Sequence, residues 1–274
     1  MSKAMTMLAR EGLTLCVDDQ GGSGTPVIFQ HGLCGDSSQT REAFPSLARF
    51  RKITLECRGH GRSEIGDSKI LSIATFTGDV VALIENIGVS PIVAGGISMG
   101  AAISLRLAVK RPDLVRALIL IRPAWVTASA PANMEPNAQV GSLLSEYPPD
   151  EAHDIFMHGE MALHLSQVAP DNLKSLEGFF ARKPRQVTAA LLKQISNDGP
   201  GVDDAEVRAL TIPALVIGHE RDYIHPYSHA QALADLIPKS TLKAITSKAA
   251  SKELYISGLH HAISEFLEEL PWRA

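Results

Sequence analysis

Two rhythms of apolar residues alternate along this chain. Short unbroken apolar runs, such as PVIF, PIVAGGI, ALILI and PALVIG, are separated by longer segments whose apolar positions recur every three to four residues. The first pattern predicts buried strands and the second predicts helices lying on them. LTLCVDD reads as a strand, GGSGT as a turn and PVIFQHG as a returning strand, so a hairpin is expected there. A helix is expected over TREAFPSLARF, a strand over KITLEC, a helix over residues 73–87, a strand over PIVAGGIS, a helix over MGAAISLRLAVKR and a strand over VRALILIRPAW. Strand signals then stop. From about residue 130 to 205 the chain holds helical segments; PPDEAHDIF, PDNLKSLEGFFAR and PRQVTAALLKQI each open on proline, which a first helical turn accommodates. The sheet pattern resumes at IPALVIG, followed by a helix (SHAQALADLI), a strand (TLKAIT) and a closing helix from about Ala250. This order implies an α/β fold: a parallel sheet covered on both faces and interrupted by a helical insertion.

Composition narrows the class without naming a chemistry. A chain of 274 residues with 45% hydrophobic and 20% charged residues suits one large globular domain. Its formal net charge of −4 and lack of a basic block argue against nucleic acid or an anionic membrane surface as partner. No run of about 18 apolar residues predicts a membrane span, and the opening MSKAMTMLAREG lacks the apolar core of a secretory signal. Three cysteines, Cys16, Cys34 and Cys57, are too few and odd in number for a disulfide framework. The expected location is therefore cytoplasmic.

Chemistry enters at GISMG, residues 96–100, which fits G-x-S-x-G between an apolar strand and a helix of small residues. A strand-to-helix elbow there would hold Ser98 in a strained backbone conformation and lift its hydroxyl above the sheet, with glycines where a Cβ would clash. The helix N-terminus behind it favours a developing oxyanion. QHGLCGD, residues 30–36, follows the strand PVIF. Acyl transfer needs two backbone donors on one oxygen, and the candidates are the amides of Leu33 and Met99. Cys34 in the same loop reads as a small filler rather than a reactive thiol. At the end of IPALVIG comes GHERDYIHP, where Asp222 is the expected acid and Glu220 the alternative; a helix-capping role for Asp222 is the competing reading.

The QHG loop, RGHGRS, GISMG and G-x-x-x-D-x-x-x-P, in this order, resemble the α/β-hydrolase superfamily over roughly residues 20–270. The resemblance implies an eight-stranded, mostly parallel sheet, a helical cap between strands six and seven, and a triad in the order Ser, Asp, His. The expected organisation is a core from residues 1–125 and 206–274 and a helical cap over 126–205.

The resemblance also places a histidine just after the last strand, and here that position reads Ser247-Lys248. If the closing helix starts near residue 250, His260 lies about 15 Å along it, too far from Ser98. A register with ELYIS as last strand would bring His260 to a loop. His225, three residues beyond Asp222, is the preferred base, with His260 and Lys248 as alternatives. His225 and His229 stand four apart but lack a third metal ligand in sequence, so no metal and no cofactor are expected. Arg122 and His31 are the candidate substrate contacts. Arg122, at a strand end, suits a substrate carboxylate or phosphate, or else a salt bridge to an acid such as Glu56. His60 is expected to support its loop by hydrogen bonds.

The expected function is hydrolysis of a small ester, thioester or lactone, with a small molecule as partner and a homodimer left open. Two rivals follow from the misplaced histidine: C–C bond hydrolysis or lyase chemistry on a keto acid, and ligand binding without catalysis.

Overall fold

The central strands are buried along almost their whole length, successive side chains entering cores on opposite faces of the sheet. The computed structural model describes residues 4–271; the outermost residues of the expected core, 1–3 and 272–274, lie outside them. Among the described residues eight strands form one sheet: β1 (Ala4–Arg10), β2 (Leu13–Asp19), β3 (Thr25–Gln30), β4 (Phe50–Leu55), β5 (Ile92–Ile97), β6 (Val115–Ile121), β7 (Ala214–Gly218) and β8 (Ser240–Ala244). Their spatial order is β1-β2-β4-β3-β5-β6-β7-β8. β1 and β2 run antiparallel to their neighbours, and every pairing from β4 through β8 is parallel.

The helices are α1 (Ser37–Ala43), α2 (Ile73–Ile87), α3 (Met99–Lys110), α4 (Glu135–Glu146), α5 (Pro149–Met157), α6 (Glu160–Val168), α7 (Pro170–Ala181), α8 (Arg185–Ser196), α9 (Asp204–Arg208), α10 (Tyr227–Leu236) and α11 (Lys252–Glu269). One sheet face sends Val27, Phe29, Val93, Ile119 and Ile217 into a core with Leu259, Ile263 and Leu267 of α11. The intervening residues Ile28, Ala94, Leu118 and Val216 face the opposite way, against Leu83 of α2, Ile103 of α3 and Leu233 of α10. Period-two alternation thus buries both faces of a parallel sheet. A third cluster, including Leu144, Phe156, Leu165, Leu176, Phe180 and Leu192, belongs to the helical segment between β6 and β7.

Two expectations about elements need correction. LTLCVDD and PVIFQ are strands, but they are not a hairpin: β2 pairs with β4, and β3 lies between β4 and β5. The hairpin partner of β2 is β1, reached through Glu11-Gly12, both at positive φ. Such a two-residue turn usually advertises itself as Asn-Gly or Asp-Gly, and Glu-Gly is a weaker signal. The helix expected over TREAFPSLARF starts earlier, at Ser37, capped by the Asp36 side chain, and stops at Ala43. Pro45 disfavours helical geometry in the residue before it. ELYIS is helical, within α11, so TLKAIT supplies the last strand. Residues 73–87 form α2 with the expected bounds.

The chain goes from β3 to β4 on one side, then crosses to β5 on the other side of β3. Ligands of open α/β sheets bind outside the strand ends at such a reversal. The loops after β3 and β5 both open there, and they carry Leu33 and Ser98.

Candidate active site

Ser98 occupies the turn between β5 and α3 at φ 56° and ψ −111°, a region a non-glycine residue enters only under constraint. Its amide donates to Ile121 O at 2.9 Å, which pins the turn to β6. The flanking glycines are sterically required. A Cβ on Gly96 would stand 2.5 Å from the Gly100 carbonyl carbon, and one on Gly100 would stand 2.3 Å from Gln30 O. Both obstacles are backbone, so neither can swing aside. Strain concentrates around this point: of six non-glycine residues with positive φ among the described residues, Cys34, Ser98, Arg122 and Arg221 line the cavities described below.

The loop after β3 folds against Ser98; a Cβ on Gly32 would lie 3.5 Å from that of Ser98. This loop is held by its histidine rather than offering it to a ligand. The His31 ring is fully buried, accepts at Nε2 from Cys57 N (3.0 Å) and donates from Nδ1 to Gly32 O (2.8 Å). Expecting His31 to contact substrate is therefore wrong: both its nitrogens are consumed by backbone. His60 works the same way, accepting from Cys34 N and facing Arg58 O. Burial pushes both imidazoles below their ordinary range, so both stay neutral near pH 7. Leu33 and Met99 flank Ser98, and among the described residues neither amide donates to a protein acceptor. Burial pushes the Cys34 thiol up to about 12, which leaves it inert.

Three residues converge on one line of hydrogen bonds. His225 Nε2 lies 2.9 Å from Ser98 Oγ, and His225 Nδ1 lies 3.0 and 3.1 Å from the two oxygens of Asp222. Among the described residues no other nitrogen comes within hydrogen-bond reach of the Ser98 hydroxyl. Local turn chemistry supplies the geometry: Asp222 Oδ1 also accepts the backbone amide of His225, so the loop after β7 folds the ring onto the carboxylate three residues back. Arg122 completes the group, with Nε 2.8 Å and Nη2 2.6 Å from Asp222 Oδ2.

The tautomer follows from these contacts. Arg122 Nη2 also lies 3.1 Å from His225 Nδ1, but an Nδ1 lone pair would face both Asp222 oxygens at 3.0 and 3.1 Å and be repelled by them. An ionised carboxylate can only accept, so Nδ1 carries the proton and Nε2 presents its lone pair to Ser98. Burial by itself would raise the Asp222 carboxyl, but His225, then Arg122, outweigh it and hold that carboxyl well below the usual range. Burial pushes His225 below its ordinary value, against the pull of Asp222. The site at neutral pH is a neutral imidazole between a hydroxyl and a carboxylate.

The other candidates fall elsewhere. His260 lies on α11, where Nε2 meets Glu42 O at 2.9 Å, away from Ser98. Lys248 stands in the loop after β8, in the wall of the cavity, and does not reach the hydroxyl. Glu220 is exposed, and its carbonyl meets His219. Glu56, weighed as partner for Arg122, instead binds Ser37 and the Arg62 amide. His229 is bound to Ala124 O, and no group of three or more metal-ligand side chains occurs among the described residues.

Sequence reasoning missed Asn133 and Asn172. Asn172 of α7 accepts the amides of Tyr223 and Ile224 at 2.7 and 3.1 Å, and Asn133 donates to Ala124 O and Ile224 O. Both tie the helical segment to the loop bearing Asp222 and His225. Their partners are up to 91 residues away, and no local pattern signals such contacts. A cavity of about 250 Å³ opens beside Ser98, walled by Leu33, Met134, Leu176, Phe179 and Ile224 among others.

A family model described as the alpha/beta hydrolase fold matches residues 25–247. The chain belongs to the α/β-hydrolase family. Among its relatives is an sn-1-specific diacylglycerol lipase of Danio rerio, 32% identical over 135 residues. That match covers 48% of this chain and 42% of the lipase, so the chain spans under half of that relative's length. A thermophilic esterase of Thermogutta terrifontis shares the fold at TM-score 0.71 and 22% identity, covering 98% of this chain and 99% of that one. The enol-lactonase of Burkholderia xenovorans does so at TM-score 0.73 and 19% identity, covering 96% of this α/β-hydrolase chain and 100% of that one. Ser98, Asp222 and His225 follow one another in the order that the sequence resemblance led us to expect, with the histidine on the loop after β7 rather than after the last strand.

Proposed function

We propose that this α/β-hydrolase is a serine hydrolase acting on a small ester, thioester or lactone. The observation that carries the reading is the line Ser98 Oγ, His225 Nε2, His225 Nδ1–H, Asp222 carboxylate, with spacings of 2.9 and 3.0 Å. His225 takes the hydroxyl proton as Ser98 Oγ bonds to the acyl carbon. The carbonyl oxygen becomes an oxyanion between the amides of Leu33 and Met99, at the positive end of the twelve-residue α3. Asp222 balances the imidazolium that forms, and Arg122 keeps Asp222 ionised and oriented. His225 then returns the proton to the departing alkoxide or thiolate. A water, deprotonated by His225, releases the acid and frees Ser98.

Residues 126–205 are the cap that roofs this cavity in our reading, and the named lipase, esterase and lactonase fit attack on an acyl carbon. Sparse unpaired cysteines and the absence, among the described residues, of a helix able to cross a membrane suit a cytoplasmic enzyme. The rivals, C–C bond cleavage and binding without catalysis, drew their support from a missing histidine, and His225 fills that vacancy.

The test is covalent labelling and turnover. A fluorophosphonate probe is expected to label Ser98 in the wild-type protein, and Ser98→Ala is expected to lose both labelling and hydrolysis of 4-nitrophenyl esters. Full turnover by Ser98→Ala would end the nucleophile assignment.

A further inference from the structure

A second cavity, of about 340 Å³, adjoins the one at Ser98; Arg122, Asn172, Ser175 and Lys248 belong to the walls of both. Their linings differ in charge. The wall around Ser98 carries no carboxylate and mixes apolar side chains such as Leu33, Leu176 and Phe179 with polar ones such as Asn137 and Asn172. The second wall holds Arg122, Lys174, Arg221, Lys248 and Lys252 against a single carboxylate, Asp171. Arg122 is engaged with Asp222, and Lys252 with Glu42. Among the described residues Lys174, Arg221 and Lys248 form no ion pair. On a chain of formal net charge −4, this is a local concentration of unpaired cations.

Lys174, Arg221 and Lys248 are exposed at the mouth of this cavity, and one further feature sets it apart from an ordinary charged face. Arg221 is held at φ 61°, a conformation that non-glycine residues adopt at a cost and that aims its side chain from the acid loop. The His219 ring, only 5% exposed, stands in the same wall, with Nδ1 donating to Glu220 O at 2.8 Å and Nε2 3.6 Å from Asp222 Oδ2, so it faces the catalytic loop rather than the cations.

We infer that this second cavity is an anion subsite: the substrate carries a carboxylate or phosphate, held by Lys248, Arg221 and Lys174 while its acyl carbon lies at Ser98. The inference rests on the hydrolase reading and deepens it. It reassigns the anion-reading role expected of Arg122, whose guanidinium is committed to Asp222. Unpaired cations around a partly enclosed cavity attract an anion more strongly than isolated surface lysines do, and the attraction weakens with added salt.

The test compares hydrolysis of 4-nitrophenyl hydrogen adipate with that of 4-nitrophenyl hexanoate, which is uncharged. The wild-type protein is expected to show higher kcat/KM on the adipate ester, with a preference that shrinks as ionic strength rises. In Arg221→Gln/Lys248→Gln the ratio of the two kcat/KM values is expected to fall about tenfold or more, the effect of losing charge-assisted contacts. Adipate and inorganic phosphate, each added as competitor, distinguish a carboxylate site from a phosphate site by which inhibits more strongly. Equal use of the two esters by the wild-type protein, or a ratio unchanged in the double variant, would overturn the inference. If neither ester is hydrolysed and the probe does not label Ser98, the hydrolase reading fails by itself. The subsite then stands or falls on whether adipate or phosphate raises the wild-type melting temperature and not that of the double variant.

Discussion

Replacing Asp222 by Asn tests the site most directly, because shape is kept and charge is removed. Asp222 is 1% exposed at its side chain and holds three partners: Arg122 through Nε and Nη2, the His225 ring, and the His225 amide. In Asp222→Asn the Arg122 guanidinium, which can only donate, claims the amide oxygen. The NH₂ group then turns toward His225 Nδ1, which must accept. That forces the proton onto Nε2, which then donates to Ser98 Oγ and cannot take its proton. A wrong-tautomer histidine of this kind lowers kcat by about 10⁴ in serine hydrolases. Stability falls as well, because a largely buried guanidinium loses its counter-charge, at a cost of about 3–5 kcal/mol. For a domain of this size that corresponds to a melting temperature lower by roughly 6–20 °C. Thermal unfolding followed by circular dichroism, together with kcat for a 4-nitrophenyl ester, reads both effects. Turnover within about threefold of wild type would refute the tautomer argument, and an unchanged melting temperature would refute the claim that Arg122 depends on Asp222.

Acidification is expected to destabilise the fold early. Burial pushes His31, His60, His219 and His225 below their ordinary range. Between the unfolded value of about 6.5 and their folded values the unfolded chain binds more protons, so stability is full above about pH 6.5 and declines as pH falls below it; melting curves from pH 8 to 5 measure this. The same downward shift of His225 places the acid limb of kcat/KM below about pH 6.5, and an inflection above that value would contradict His225 as the base. Gly100→Ala is expected to abolish folding or activity, since its Cβ would lie 2.3 Å from Gln30 O, whereas Gly78→Ala, in the middle of α2 with nothing within 4 Å, is expected to stabilise by about 0.5–1 kcal/mol in urea denaturation. His260→Ala is expected to keep kcat within about twofold while His225→Ala loses roughly a thousandfold or more, and the reverse order would return the base to α11.

Much of this protein was legible in residue order alone. Period-two and period-3.6 patterns specify where strands and helices form because those periods decide which side chains can be buried, and α2 emerged with its expected bounds over residues 73–87. The elbow at Ser98 was equally legible: only glycine fits at Gly96 and Gly100, so steric necessity is written into GISMG. The contact between Asp222 and His225 is a local matter too, because the two lie three residues apart in one turn. What local order could not decide was partnership across the sheet. That β2 pairs with β4, that His31 locks onto the Cys57 amide, and that Arg122 closes on Asp222 a hundred residues later are all consequences of which strand ends meet. So is the choice of His225 over His260 and Lys248, because only the folded chain fixes which nitrogen stands at the serine hydroxyl.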